Sequence, residues 1–193
     1  MEHIIDCKGL LCPEPVINTK KYFDSIKEGS AIVIVDNEVA KNNVLKFAKS
    51  SGFDNTVTEN NELYFINITK NLVYCKPMFF ENKKLVILIC SNKLGDGADA
   101  LGYTLMKSYL YALSESDNIP SDLLFLNSGV KLTMKKSDCL ESIRKLEKRG
   151  VNILSCGTCI DFYGLKEELD VGEITNMYTI VQILNSADNT VKL

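Results

Sequence analysis

Apolar and polar positions alternate along this chain in two series, separated by one stretch with no period. Ile4-Ile5 read as a short first strand. Val16, Lys20, Phe23 and Ile26 then recur at helical spacing and predict a helix over 13–27, with Gly29 as its stop. Ala31-Ile32-Val33-Ile34-Val35 is a continuous, mostly β-branched run, the pattern of a buried central strand. A second helix over 38–50 places Ala40, Val44, Phe47 and Ala48 on one face and stops at Gly52. Strands over 55–58 and 63–69 follow, joined through Asn60-Asn61. The order βαβαββ predicts a two-layer sandwich, with both helices on one face of a small mixed sheet.

From Lys70 to Lys84 the period disappears, and Lys76-Pro77 and Glu81-Asn82-Lys83 read as linker. Phe79 and Phe80 within it imply that it docks onto a domain. A second alternation begins at Leu85-Val86-Ile87-Leu88-Ile89-Cys90, a strand pattern buried on both faces. Gly95-Asp96-Gly97 leads into a helix over 99–113, then come a strand over 123–126, a helix over 137–149 stopped by Gly150, and a strand over 151–154. A last helix is expected over 173–185 and a last strand over 190–193. This βαβ series predicts a three-layer α/β/α domain with a mainly parallel sheet. The expected organisation is a domain over 1–70, a linker over 71–83 and a domain over 84–193.

Composition narrows the class. A net charge of −3 with no basic block gives no nucleic-acid footprint. No stretch is long and apolar enough to span a bilayer, and Met1-Glu2-His3 does not begin a secretory signal, so a cytoplasmic location is expected. In a reducing compartment seven cysteines are not a disulfide framework, and the question becomes which of them favour a thiolate.

Cys12 stands out, within Gly9-Leu10-Leu11-Cys12-Pro13-Glu14-Pro15. It lies after the first strand and before the first helix. A residue before proline avoids helical geometry, as an N-cap does, and Pro13 at the first helical position loses no useful hydrogen bond. The expectation is a thiol fixed over a helix N-terminus, where the dipole and unpaired amides favour an anion such as a thiolate or a persulfide. Accepting an activated sulfur atom needs no catalytic base, so the lone His3 is not required. The competing reading is a small buried residue at a helix start.

With that motif residues 1–70 resemble the TusA/SirA family of sulfur carriers, whose signature is a Gly-Leu-x-Cys-Pro-x-Pro run after the first strand, here with Asp6 ahead of it. The resemblance implies that Cys12 accepts sulfur.

The second motif is Cys156-Gly157-Thr158-Cys159, immediately beyond a strand at the usual ligand edge of a parallel sheet. A zinc site lacks a second ligand pair at suitable spacing, and no metal or cofactor is expected. A dithiol redox site, a transfer thiol with a resolving partner, and two ordinary half-buried cysteines remain as readings. Residues 84–193 resemble the DsrE-like sulfur-relay family, through the Gly95-Asp96-Gly97 opening and the run from Ser155 to Tyr163. That family places its reactive cysteine in a loop beyond a mid-domain strand, which implies Cys156, with Cys159 an addition to the pattern. The two-domain combination looks like the YedF-type proteins associated with selenium metabolism.

Other features read as structural. The Gly95–Gly97 loop lacks a P-loop ending and is expected to be a turn. Cys90 and Cys139 are expected in the core, and Cys75 is either incidental or a relay stop. Cys7 is a candidate for a protective disulfide with Cys12. Tyr103, Tyr109 and Tyr111 share one helix, as packing or an oligomer contact. The first functional expectation is a sulfurtransferase-like carrier, rather than a multi-turnover enzyme. Cys12 takes sulfur or selenium from a donor such as a cysteine desulfurase and relays it through Cys156 to an acceptor protein. A homo-oligomer is implied by the family resemblance. The alternatives are a dithiol redox enzyme or regulator using Cys156 and Cys159, and a non-catalytic adaptor of the selenium pathway.

Overall fold

The computed structural model describes residues 3–71 and 83–193, which form two compact units with separate cores. Cys75, Phe79 and Phe80 lie outside the described residues, as does the expected docking of the linker.

The first unit runs β1 (His3–Asp6), α1 (Glu14–Ser25), β2 (Gly29–Val35), α2 (Glu38–Ser50), β3 (Asp54–Asn60) and β4 (Leu63–Lys70). The sheet order is β1-β2-β4-β3, with β1 parallel to β2 and the other pairs antiparallel. Ala31, Val33 and Val35 of β2 are buried against Phe23 of α1 and Val44 and Ala48 of α2, together with Ile66 and Ile68 of β4. Ile32 and Ile34 are only half-buried, because the helices cover one face of the sheet. The unbroken apolar run at 31–35 is therefore one buried face alternating with a partly open one. Gly29 is not the helix stop that the spacing predicts. Helix α1 ends at Ser25, Ile26 is already extended, and Gly29 opens β2 with φ +144°. Gly52 does follow α2 in the left-handed region. There the Phe53 amide donates to Ala48 and the Gly52 amide to Lys49, closing the helix end.

The second unit runs β5 (Leu85–Ile89), α3 (Asp99–Glu115), β6 (Asp122–Phe125), a 3-10 helix (Asn127–Thr133), α4 (Leu140–Lys148), β7 (Asn152–Cys156), α5 (Gly157–Tyr163), β8 (Glu173–Thr175), α6 (Met177–Asn185) and β9 (Asn189–Lys192). All strand pairs are parallel, in the order β8-β7-β6-β5-β9. Ile87, Ile89, Leu123, Phe125 and Ile153 face a core with Met106 and Leu110 of α3 and Ile143 and Leu146 of α4. The opposite face, Val86, Leu124, Leu154 and Cys156, packs on Ile180 of α6. This is the three-layer arrangement that the βαβ pattern predicts.

Three local expectations are corrected. Residues 173–175 are a strand, not the start of the last helix: they pair with 154–156 of β7, and the Asn176 side chain then caps α6 by accepting the Thr179 amide at 3.0 Å. Strand β7 extends through Cys156, so that residue ends the strand instead of lying beyond it. The two-turn helix α5 went unpredicted, because seven residues are too few for a helical period to register.

Candidate functional site

Two thiol sites are described, one in each unit. In the first, the loop between β1 and α1 is tied to the corner between β2 and α2. Gly9, with φ +71°, donates its amide to Asp36 Oδ2 at 2.6 Å. That bond, and a second from the Asn37 side chain to the other carboxylate oxygen, hold Asp36 below the usual carboxylate range. Asn37 also caps α2, accepting the Ala40 amide at 2.8 Å. The same corner therefore sets the loop that carries Cys12 and the helix that carries Asn43. Cys12 is exposed, and Asn43 Nδ2 donates to its Sγ at 3.6 Å. Both residues border a groove of ≈ 280 Å³ walled by Leu10, Pro13, Pro15, Val16 and Ala40. Leu11 and Val39, 80% and 65% exposed, stand on its rim.

The expected cap geometry at Cys12 is shifted by one residue. Pro13 occupies the N-cap position, Glu14 begins the helix, and Cys12 precedes the cap across a cis Cys12–Pro13 peptide. Nor does the first turn of α1 leave free amides for the thiol. The Glu14 amide donates to Leu11, Pro15 has none, and the Val16 and Ile17 amides donate to Pro13. The prolines remove donors and the first turn uses up the rest. The polar group that meets the sulfur comes from α2 instead, as the Asn43 amide. Sequence reasoning did not find Asn43, which is 31 residues away and carries no local signal.

Cys7 is buried in the core and Cys12 is exposed, which argues against the protective disulfide expected between them. Burial pushes the Cys7 thiol up, against a hydrogen bond from Asn18.

In the second unit the carboxyl ends of β5, β6 and β7 gather the chemistry at one sheet edge. Cys156 ends β7 and is 2% exposed. Before it, the buried Ser155 and Thr133 hydroxyls bond at 3.0 Å and fix the strand end. Cys159, in the first turn of α5, is half-buried and accepts the Asn127 backbone amide at 3.1 Å. Asn127 holds a left-handed conformation, φ +46°, at the start of the 3-10 helix. Its side-chain oxygen accepts the Tyr163 hydroxyl at 2.8 Å, and Lys131 Nζ lies 4.4 Å from the Tyr163 ring centroid. Burial pushes the Cys159 thiol up, and the neighbouring Cys156 thiol adds to this, while the Asn127 amide pulls it down.

Cys90 also raises Cys159. It is half-buried where β5 ends, rather than in the core as expected, whereas Cys139 is buried in the core. Cys90 and Asn127 were the residues missed here. The available signal was their place directly after apolar strand runs in a parallel sheet. At the Gly95 loop, Lys93 Nζ binds Asp99 at 2.6 Å over the first turn of α3, which supports a structural turn. Among the described residues no three Cys, His, Asp or Glu side chains converge to hold a metal.

Comparison with known proteins places both units. Residues 3–70 match the sulfurtransferase TusA family, and residues 83–193 match the DsrE/DsrF-like family. A protein of Methanocaldococcus jannaschii, provisionally named a sulfur carrier, is 33% identical over 67 residues, 34% of this chain and 89% of its own. YrkI of Bacillus subtilis, provisionally named in the same way, is 33% identical over 54 residues, 28% of this chain and 72% of its own. Among solved structures, a SirA-like protein of Desulfitobacterium hafniense aligns with 34% of this chain and 93% of its own at 30% identity, TM-score 0.33. The ychN protein of E. coli aligns with 57% and 99% at 19% identity, TM-score 0.46. The chain belongs to the sulfur-carrier TusA family through its first unit and to the DsrE/DsrF-like family through its second.

Proposed function

We propose that Cys12 carries sulfur, or selenium, as a persulfide-type adduct, and that the Cys156/Cys159 pair receives it for delivery in sulfur or selenium metabolism. The observation that carries this reading is an exposed Cys12 sulfur with an amide donor beside it, on a loop held from β2 through Asp36. A persulfide is anionic when ionised, and an amide N–H favours that charge. The donor is a protein that itself presents sulfane sulfur, such as a cysteine desulfurase, and the acceptor is a thiol protein. YedF-type selenium metabolism is the biological setting that the two-unit combination suggests.

Incubation of the full chain with a cysteine desulfurase and cysteine, followed by peptide mass spectrometry, tests the reading. The Cys12 peptide gains one sulfur atom in the wild type, and Cys12→Ser abolishes both that gain and any gain on the Cys156–Cys159 peptide. A Cys12 peptide that stays unmodified while the donor turns over sinks the carrier reading.

A dithiol redox role for the second unit is favoured by a different observation, the packing of Cys159 against the cluster that holds Cys156, three residues before it. It predicts reversible conversion to a disulfide in the absence of any sulfur donor.

A further inference from the structure

The two cysteines of the second site differ in access. Cys156 is 2% exposed, walled by Val86, Leu124 and Ile180, whereas Cys159 is half-buried and reachable from solvent. A protein partner that hands over sulfur must bring its own sulfur into contact with the receiving thiol, and that requirement selects Cys159. Cys159 is also the thiol whose sulfur accepts the Asn127 amide at 3.1 Å. The Asn127 conformation that aims this amide is held on its other side by Tyr163. Cys159 packs against the apolar cluster that holds the buried Cys156, one helical turn along the chain, so the sulfur that Cys156 can attack is the Cys159 Sγ.

We infer that the second unit reductively releases its cargo: Cys159 takes sulfane sulfur from an incoming persulfide, and the buried Cys156 expels it as hydrogen sulfide. This rests on the carrier reading above for the source of the sulfur. In the first step the Cys159 thiolate attacks the outer sulfur of a Cys12 persulfide. A bond forms between Cys159 Sγ and that sulfur, the bond to Cys12 Sγ breaks, and Cys12 leaves as a thiolate that takes up the Cys159 proton. In the second step Cys156 Sγ attacks Cys159 Sγ, a Cys156–Cys159 disulfide forms, and the terminal sulfur departs carrying the Cys156 proton. The departing sulfur gains two electrons, and the two cysteine thiols supply them. A dithiol reductant resets the pair by thiol–disulfide exchange. The same balance serves selenium, which leaves as hydrogen selenide. Delivery as a free reduced species differs from hand-over to an acceptor thiol, which needs Cys159 alone.

The experiment uses the full chain, reduced, loaded anaerobically with inorganic polysulfide, desalted and followed for released sulfide and by peptide mapping. The wild type should yield about one sulfide for each Cys156–Cys159 disulfide formed, as the electron balance requires, and dithiothreitol should restore the dithiol. Cys156→Ser should keep the added sulfur on Cys159 and lose the release. Cys156→Ala, which puts no hydroxyl into the apolar site, should behave identically and guards against a folding artefact. Sulfide release from Cys156→Ala at the wild-type level overturns the inference, as does a wild type that keeps sulfur on Cys159 beside a free Cys156 thiol. Cys12→Ser, loaded directly with polysulfide, should release sulfide from the pair as the wild type does. That arm separates the two proposals, because failure of Cys12 to load from a desulfurase leaves the release result standing.

Discussion

Asn43 Nδ2 donates to the Cys12 sulfur, and on the carrier reading proposed above that bond strengthens when Cys12 is a thiolate or an ionised persulfide. At 3.6 Å to a soft acceptor its contribution lies at the weak end for a hydrogen bond to an ion, ~1 kcal/mol. Asn43→Ala should therefore slow iodoacetamide alkylation of Cys12 by about fivefold, the equivalent of that energy. Because alanine is the better helix former, the urea midpoint of the first unit should not fall. A variant alkylated at the wild-type rate would remove Asn43 from the chemistry. Cys12 itself was legible in the sequence, because two prolines and a preceding glycine fix the backbone locally and local chemistry leaves local marks. Asn43, Asn127 and Cys90 were not, since each acts from another element. Asn127 contributes a backbone amide, which any residue type carries, so only its rare left-handed conformation distinguishes it.

Helix and strand placement followed apolar period wherever an element was long enough, as with α2 over Glu38–Ser50. It failed at short elements whose state is set by neighbours. Glu173–Thr175 is a strand because β7 offers it an edge, and α5 is two turns that depend on Ile160 packing into the core. Two substitutions test how elements hold the sites. Asn37→Ala removes the cap of α2 and should cost the first unit about 1 kcal/mol, read from its urea midpoint. In the second unit, Gly129 of the 3-10 helix lies so close to the Ile89 carbonyl that an added Cβ would collide with it. Backbone cannot yield as a flexible side chain can, so Gly129→Ala should destabilise this unit by roughly 1–3 kcal/mol. It should also displace the Asn127 amide from Cys159. Faster alkylation of Cys156 at neutral pH would report the loosened edge, and unchanged stability would refute the close approach.

Across the whole molecule, buried acids that stay neutral link stability to alkaline pH. Burial is the leading cause that pushes up Cys7 in the first unit and Cys139, Cys159 and Tyr109 in the second. The sign follows from proton binding. Above the ordinary thiol pKa the unfolded chain has released protons that the folded chain still holds, so stability falls as pH rises. Their contribution is complete below that pKa and is lost progressively toward the raised folded values. For the fully buried Cys7 the slope has a ceiling of about 1.4 kcal/mol per pH unit. Both units should therefore lose unfolding free energy between about pH 8 and pH 9.5, before lysines titrate. Cys7→Ala should flatten the decline in the first unit alone, and Cys139→Ala should reduce it in the second, each at the cost of some packing at neutral pH. Denaturant unfolding of the reduced protein at stepped pH checks this. A flat stability profile across that window would mean that these thiols ionise as readily folded as unfolded.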